Sequence, residues 1–417
     1  MMFGILALLA LLGTPLFIVI AMSAILGYAR SDISLAAVPI EVFGIAEMPI
    51  LLAIPLFTFA GYLLSESRAP MRIVRLTGAL LGWMPGGLAL VSIAACAFFT
   101  AFTGASGVTI VALGAVLYPA LSHAGYTERF SLGLVTSAGS LGLLFAPSLP
   151  LILYGIVAEV PIDDLFLAGI MPGIVMMVFM GGYSLWVNRS NRTPLSHFSL
   201  DELLGALKAS AWEIPLPVIV LGGIYSGYFA VSEAAAVTAV YVLIVEVLVL
   251  RDVNWRQLPE IIRESMVLVG GILIILGVSL ASTNYMIDAQ VPEKLVEIVN
   301  RFVSGPVSFL LLLFVFLLIL GAILDIFSAL VLVVPLILPI AQVYEVHPVH
   351  LGIVFLATMQ LGFLTPPVGL NLFISSYRFE QSIVRVYLAT FPFLMMLLFA
   401  VLLITFWPGL SLFMLGE

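Results

Sequence analysis

The sequence contains very few charged residues and a single cysteine. Of its 417 residues only 9% are Asp, Glu, Lys or Arg, whereas 63% are hydrophobic. A soluble globular domain could not cover so much apolar surface with polar side chains, so this class is excluded. The lone Cys96 excludes an intrachain disulfide and a cysteine metal cluster. The net charge of −8 provides no basic field for a nucleic acid.

Long apolar runs make up most of the chain. The run 309–321 is apolar on every face, unlike the alternating strands of a membrane barrel. We therefore predict an all-α polytopic membrane protein. A helix needs about 20 apolar residues to cross the hydrocarbon core. This rule predicts continuous spans at 3–28, 48–65, 165–187, 213–229, 232–250, 266–283 and 386–407.

One irregular pattern occurs twice, about 220 positions apart. Gly142 corresponds to Gly362, and each glycine is followed five positions later by a proline. These breaks interrupt two further predicted spans, at 130–157 and 350–376. Backbone that leaves helical geometry at bilayer depth loses hydrogen bonds that lipid cannot replace, so it must be buried or line a wet cavity. Paired breaks therefore indicate a transport site, although a simple proline kink is the alternative for either helix alone.

Two more apolar stretches, 88–121 and 306–343, each return to the side on which they started. The first arm, Leu88–Phe102, has 15 residues. As a helix it would reach only about 22 Å, which is shorter than the bilayer is thick. We favour re-entrant hairpins with tips at 103–107 and 321–328 near mid-membrane. The alternative is a pair of ordinary spans joined by a tight external loop, because both arrangements have the same charge parity.

The distribution of basic residues predicts the orientation. With the N-terminus in the cytoplasm and the C-terminus in the periplasm, only Arg30, Lys294 and Arg301 of the 15 Lys and Arg residues lie outside. Each half then has four spans and one hairpin, and one unmatched helix inverts the second copy. The predicted units are two inverted-topology repeats and the segment between them, at 1–190, 232–417 and 191–231.

Asp325 is an acidic residue at the second tip, deep in apolar sequence. A carboxylate at the bilayer centre costs at least about 2.5 kcal/mol, and such residues usually mark an ion path. Its alternative role is that of a helix cap, or of a residue near the surface of a shorter loop. At the interrupted helices, free carbonyl groups suit a small cation such as Na⁺ and free amides suit a carboxylate.

These residues resemble the large membrane subunit of the tripartite ATP-independent periplasmic (TRAP) transporters. The resemblance covers nearly the whole chain, and its most specific part is Gly362 with Thr365–Gly369. Ala146 departs from the family pattern, which often has two prolines before Ser148. The other motifs, in their order along the chain, are Ile54–Phe57 with Ala60–Gly61, Pro85–Leu88, Thr103–Gly107, Pro147–Ser148 before Tyr154–Gly155, Phe166–Ile170 and Ser232–Ala236.

The resemblance implies a secondary transporter of the bacterial inner membrane that takes a small organic acid anion from a periplasmic binding protein. It implies Na⁺ as the coupling ion, an elevator-like movement, a small four-helix membrane subunit, a C4-dicarboxylate or sialic acid type of solute, and no cofactor. The alternative is a stand-alone Na⁺/dicarboxylate symporter of related architecture. An intramembrane enzyme is not predicted, because the sequence has neither a His-Glu-x-x-His motif nor a second intramembrane aspartate to pair with Asp325.

The resemblance also implies which residues bind the ions and the solute. One Na⁺ site would use Gly104, Ser106, Gly142 and Pro147. A second Na⁺ site, built mostly from main-chain oxygens, would use Gly321, Asp325, Gly362, Thr365 and Val368. The solute is expected to contact Thr103, Ser106, Ser148, Ser328 and Asn371.

Overall fold

The computed structural model describes residues 12–31, 33–84, 86–190 and 198–416. Within these ranges the chain is helical and has no strand, which confirms the all-α prediction. Five helices are long and apolar enough to cross a membrane, and three bent helix pairs raise the total to as many as eight. The described part of the chain is therefore built as a polytopic membrane protein.

The first half of the chain contains ten α-helices among the described residues. They are α1 (Leu16–Arg30), α2 (Ala37–Gly44), α3 (Ala53–Ser65), α4 (Ala69–Leu81), α5 (Gly87–Thr103), α6 (Ser106–Ala112), α7 (Gly114–His123), α8 (Glu128–Ala138), α9 (Leu149–Ala158) and α10 (Ile162–Val187). Short 3₁₀ turns at Ile45–Glu47, Pro49–Leu52, Leu141–Leu144 and Asn188–Ser190 connect or extend them.

The second half of the chain is also built from α-helices. Its helices are α11 (Leu200–Ala209), α12 (Pro215–Tyr225), α13 (Val231–Leu243), α14 (Leu258–Asp288), α15 (Val291–Val299), α16 (Pro306–Gly321), α17 (Ile326–Val343), α18 (Pro348–Gly362), α19 (Leu370–Arg378), α20 (Ile383–Phe406) and α21 (Gly409–Leu412). A π-helical segment, Ile244–Val249, extends α13, and a 3₁₀ turn, Phe413–Leu415, follows α21.

Helix boundaries recur between the halves at a nearly constant offset. The first hairpin arm begins at Gly87 and the second at Pro306, an offset of 219 (306−87). The distal parts of the interrupted helices begin at Leu149 and Leu370, an offset of 221 (370−149). Corresponding helices in the two halves are thus separated by about the same offset as the sequence motifs. The inverted orientation of the second copy stays a prediction.

Several predicted spans differ from the observed helices. The span at 48–65 belongs to a pair bent by 68° at Met48, where 3₁₀ turns replace the continuous helix. The span at 213–229 is helical only over Pro215–Tyr225, whereas 266–283 lies inside the 31-residue α14. Of the first predicted span, residues 3–11 lie outside the described residues.

Five short helices among the described residues were not predicted, and three of them are amphipathic. α4, α11 and α15 contain no apolar run of membrane length. The prediction of a linker at 191–231 with one unmatched helix is therefore incomplete, since α11 lies there as well. The hydroxyl of Ser199 caps α11 by accepting a hydrogen bond from the Glu202 amide at 3.3 Å. Residues 191–197 of that linker lie outside the described part of the chain.

Close backbone contacts at glycines join the two halves. A Cβ atom on Gly133 of α8 would lie 2.1 Å from the carbonyl oxygen of Ala389 in α20. The ring of Tyr154 in α9 fills the space beside Gly352 in α18, and its hydroxyl donates to the Pro348 carbonyl at 2.6 Å. Small residues permit this approach, and van der Waals packing is the main force between helices in lipid.

Gly133→Ala tests this packing. Alanine normally stabilises a helix interior by up to about 1 kcal/mol relative to glycine, but here its methyl group would collide with backbone. We expect the thermal unfolding temperature of the purified protein in detergent to fall, with a loss of about 1–3 kcal/mol. Gly182→Ala in α10 is the control, because its Cβ would meet nothing within 4 Å. Equal unfolding temperatures for the two variants would contradict the contact.

Candidate functional site

The tip of the first hairpin is buried against the first interrupted helix. α5 ends at Gly104, whose φ of 64° is a left-handed conformation that favours glycine. A Cβ on Gly104 would lie 2.5 Å from the side chain of Leu149, the first residue of α9. Thr103 and Ser106 are also buried. The tip is therefore enclosed by protein and does not form an external loop.

The first break runs from the end of α8 to the start of α9. It consists of the 3₁₀ turn Leu141–Leu144 and an extended segment with a cis peptide bond before Pro147. Gly142 lies against α5, since its Cβ would be 2.2 Å from the Ala97 carbonyl oxygen. The Thr100 hydroxyl donates to the Gly139 carbonyl at 2.9 Å. The interruption is confirmed, and it is longer than a proline kink.

The second hairpin tip contacts the second break through backbone atoms. A Cβ on Gly362 would lie 2.4 Å from the carbonyl carbon of Gly321, so the two glycines approach closely. The amides of Val368 and Gly369 both donate to the Ala322 carbonyl at 3.2 Å. These hydrogen bonds join Ala322 of the second tip to the residues that follow the cis peptide bond at Pro367.

The side chains of the second predicted ion site have partners within the protein. Asp325 caps α17 by accepting hydrogen bonds from the amides of Phe327 and Ser328, each at 3.0 Å. Its second oxygen accepts from the Ser328 hydroxyl. The Thr365 hydroxyl donates to the Leu361 carbonyl at 2.8 Å. Asp325 thus has the capping role that was its alternative, while its carboxylate stays exposed toward a cavity.

Two predicted solute residues from opposite halves form a direct hydrogen bond. The hydroxyl of Ser106 donates to the side-chain oxygen of Asn371 at 2.7 Å, and both residues are buried. Nearby helices are joined in the same way, since the Thr136 hydroxyl donates to the Ser375 hydroxyl at 2.9 Å. The first tip is therefore tied to the distal part of the second interrupted helix.

Several buried polar atoms in the interrupted helices have no hydrogen-bond partner among the described residues. They are the hydroxyl oxygens of Ser137, Ser148 and Thr358, the side-chain oxygen and nitrogen of Gln360, and the side-chain nitrogen of Asn371. Buried polar groups normally have partners, and each exception needs an explanation. Ser148 and Asn371 were predicted as solute residues. Gln360 was missed, although an amide within the apolar run of α18 was a visible signal.

One cavity of about 280 Å³ lies between the two hairpin tips. Gly104, Ala105 and Ser106 line it from the first tip, and Asp325, Ile326 and Phe327 line it from the second. Thr103, Ser148, Ser328 and Asn371 are not among its lining residues. Tyr62 of α3 and Leu268 of α14 form the opposite wall. The structure therefore places both tips at one cavity, but four of the five predicted solute residues do not line it.

A larger cavity of about 710 Å³ adjoins the first one. The two share the residues Tyr62, Gly107, Val108 and Ile374, and the larger one extends to Glu66 and Glu264. The charged side chains that line either cavity, among the described residues, are Asp325, Glu66 and Glu264, all of them acidic. The two cavities are thus mainly apolar, with Glu66 and Glu264 in the larger one and Asp325 in the smaller one.

Comparison with protein families identifies the family of this chain. Residues 3–410 match the family described as "Tripartite ATP-independent periplasmic transporter, DctM component". The chain belongs to the DctM family of TRAP transporters. Membership implies secondary transport that depends on a substrate-binding protein and on a small membrane subunit. It also places this permease in the bacterial inner membrane, and its relatives are transporter permeases.

Individual relatives cover most of the chain. It is 33% identical over 380 residues to the C4-dicarboxylate TRAP transporter large permease protein DctM of Pseudomonas aeruginosa, covering 91% of this chain and 89% of that protein. It is 30% identical over 423 residues to the isethionate TRAP transporter permease protein DctMQ of Oleidesulfovibrio alaskensis, covering 100% of this chain and 66% of that protein.

A solved structure shares the fold. The YdaH transporter of Alcanivorax borkumensis, whose topology is described as unusual, superposes with a TM-score of 0.57. The alignment covers 88% of this chain and 86% of YdaH at 13% sequence identity. This DctM-family permease therefore has the fold of a known transporter.

The Ser106–Asn371 contact between the halves can be measured by a double-mutant cycle. Ser106→Ala leaves the buried Asn371 oxygen without its donor, which should cost about 1–3 kcal/mol of unfolding free energy. Once Asn371→Ala is present, the same change should cost much less, so the two losses are not additive. Thermal unfolding in detergent gives both values. Ser122→Ala is the control, because that exposed hydroxyl bonds only within its own helix. Additive losses would show that no such hydrogen bond exists.

Proposed function

We propose that this permease imports a small organic acid anion together with Na⁺, through the cavity between its two hairpin tips. The observation that carries the proposal is that one cavity is lined by Gly104–Ser106 and by Asp325–Phe327. Both tips therefore face the same space, as a binding site at the contact of two repeats requires. The adjoining larger cavity supplies a route by which a solute could reach it.

The charge of the cavity supports coupling to a cation. An anionic solute would approach Asp325 and would find no Lys, Arg or His among the described residues that line the cavity. Like charges in a poorly solvated site repel each other, so a bound cation would make anion binding more favourable. Na⁺ is a small cation, and the main-chain oxygens released at the two breaks suit it.

The proposed ion residues fall into two groups that the contacts support. Gly104 lies beside Leu149, and Gly142 lies beside Ala97 in α5, so the first group lies where hairpin and break meet. The second group is held together by the Gly321–Gly362 approach and by the amides of Val368 and Gly369 on Ala322. We propose that each group supplies the oxygens for one Na⁺.

The cavity position also supports an elevator-like movement. Its walls come from α3 and α14 on one side and from the hairpins and interrupted helices on the other. We propose that the hairpins and interrupted helices move as one body past α3 and α14, which would carry the solute across. The Ser106–Asn371 and Thr136–Ser375 hydrogen bonds would keep that body intact.

The solute itself is not assigned. The relatives are named for C4-dicarboxylates, isethionate and ectoine, so family membership permits several small polar solutes. We propose that a periplasmic binding protein does most of the selection. The alternative, a stand-alone Na⁺/dicarboxylate symporter, predicts uptake by this chain alone.

Reconstitution tests the proposal. The chain, its small subunit and its binding protein are placed in vesicles and supplied with radiolabelled succinate, isethionate or ectoine. We expect uptake of one of these solutes to require both the binding protein and an inward Na⁺ gradient. Uptake that ignores the Na⁺ gradient would contradict the coupling, and uptake without the binding protein would favour the stand-alone symporter.

Thr365→Val tests the second ion group. It removes a hydroxyl oxygen but preserves the size of the side chain. We expect the Na⁺ concentration that gives half-maximal uptake to rise about tenfold, which corresponds to about 1.4 kcal/mol. Thr365→Ser is the matched control because it retains the oxygen, and its Na⁺ response should stay near that of the unmodified protein. If the two variants respond alike, Thr365 has a packing role.

Asp325→Asn separates the charge of this residue from its capping function. Asparagine caps helices about as well as aspartate, so α17 should remain stable. We expect uptake to fall at least about tenfold while the unfolding temperature in detergent stays within experimental error. Asp325→Ala is the comparison, because it should lose about 0.5–2 kcal/mol from the missing cap. Normal uptake by Asp325→Asn would restrict this residue to a structural role.

A further inference from the structure

A buried cluster of charged side chains lies outside the transport cavity. Arg72 of α4 forms ion pairs with Glu213, Glu246 and Asp252. The exposed fractions of the three acidic side chains are 3%, 1% and 9%, and that of Arg72 is 14%. Arg68 approaches Asp252 only at 3.9 Å, and its side chain is 75% exposed. The buried part of the cluster therefore has three carboxylates for one guanidinium.

The guanidinium of Arg72 does not donate the same number of hydrogen bonds to each of the three carboxylates. One terminal nitrogen of Arg72 donates to both oxygens of Glu246, at 3.0 and 3.2 Å. The other terminal nitrogen donates to Asp252, and Nε donates to Oε1 of Glu213. Oε2 of Glu213 is buried and has no hydrogen-bond partner among the described residues. One oxygen of the cluster is thus left without a donor.

Among the described residues, the surroundings of Glu213 supply no further positive charge. The nearby Tyr241 hydroxyl donates to the Trp212 carbonyl at 2.8 Å, and so it is not directed to a carboxylate. Arg75, the next arginine of α4, pairs with Glu202. Ser210 bonds to the backbone oxygen of Arg72 and not to an acid. Within the described part of the chain, the groups that face the Glu213 carboxylate are therefore Arg72, the two other acids and the backbone amide of Glu213 itself.

Electrostatics decides the protonation state of such a cluster. A buried, unpaired charge costs several kcal/mol even after relaxation, whereas a neutral buried group without a partner costs about 1–3 kcal/mol. When carboxylates share one site, the pKa of one of them rises. Burial raises the pKa of Glu213, the guanidinium of Arg72 opposes this shift, and Asp252 adds to it. Glu213 lies in the turn between α11 and α12, two residues before α12 begins at Pro215.

We propose that the Arg72 cluster is a proton-binding site and that Oε2 of Glu213 holds the proton. The proton comes from the aqueous phase and forms an O–H bond on that oxygen. The formal charge of Arg72 with its three acids changes from −2 to −1. The oxygens of the other two acids have donors, because Arg72 bonds both oxygens of Glu246, and Asp252 accepts from Arg72 and from the Arg68 amide.

The bound proton stabilises the attachment of α4 to the second half of the chain. α4 connects α3, which lines the solute cavity, to α5 of the first hairpin. Glu213 precedes α12, and Glu246 lies in the π-helical extension of α13. Arg72 therefore fastens the connecting helix to two elements of distant sequence. The inference does not depend on the identity of the solute or of the coupling ion.

Glu213→Gln tests the proposal, because glutamine imitates the protonated acid. A raised folded-state pKa means that stability is greatest at low pH and falls as the pH rises from the ordinary carboxyl value through the raised one. We expect the unfolding temperature of the full chain in detergent to fall as the pH rises above the ordinary carboxyl range. This decline should be clearly smaller in Glu213→Gln, which should be at least as stable as the unmodified protein near neutral pH.

Glu202→Gln is the matched control, since Glu202 pairs with the same helix through Arg75 but is 53% exposed. It should keep the decline with pH. Infrared spectra at neutral pH give a second readout, in which the carbonyl band of a protonated carboxylic acid should disappear in Glu213→Gln and persist in Glu202→Gln. An unstable or unfolded Glu213→Gln, or an unchanged carbonyl band, would overturn the proposal.

Discussion

Hydrogen bonding of the backbone is the constraint on which this structure depends. A helix that breaks within the membrane leaves amides and carbonyls that lipid cannot satisfy. Here each break packs against its own hairpin. Gly142 lies against α5, and Gly362 lies against Gly321 closely enough to exclude a Cβ. The glycines permit this approach, and the approach in turn protects the irregular backbone from lipid. A polar interior thus results from the same contacts that keep the fold together.

The same contacts explain how a cavity lined by a carboxylate can exist within so apolar a chain. Each hairpin tip is held by an interrupted helix, so both tips are presented to one space between them and α3 and α14. Side-chain hydrogen bonds such as Ser106–Asn371 connect the first tip to the opposite half. The two halves are not equivalent, however. Pro147 and Ser148 are buried, whereas Pro366–Val368 of the second break are exposed. The two breaks therefore have similar construction but different exposure.

Much of this was visible in the sequence because the physical signals were local and repeated. The glycine and proline pairs at an offset of 220 predicted both interruptions, and the short arm Leu88–Phe102 predicted a hairpin whose tip is enclosed. The amphipathic helices α4, α11 and α15 were missed, because a search for apolar runs of membrane length does not detect short helices with one polar face. The partners of individual side chains were also beyond prediction, since they depend on three-dimensional contacts. Asp325 was identified at the tip, but only the structure showed that its oxygens cap α17. Arg72 and its three acids come from four separate segments, and no sequence spacing relates them.

The central claim is that the two hairpin tips line one cavity that opens to a single side of the membrane. Ala105→Cys and Phe327→Cys place a thiol on each tip, and Cys96→Ala provides a background without the native cysteine. Labelling by a membrane-impermeant maleimide in right-side-out and in inverted vesicles is the direct measurement. The account predicts that both thiols react from the same side and that Na⁺ with the transported solute slows both reactions together. Reaction of the two thiols from opposite sides, or protection of one without the other, would contradict it.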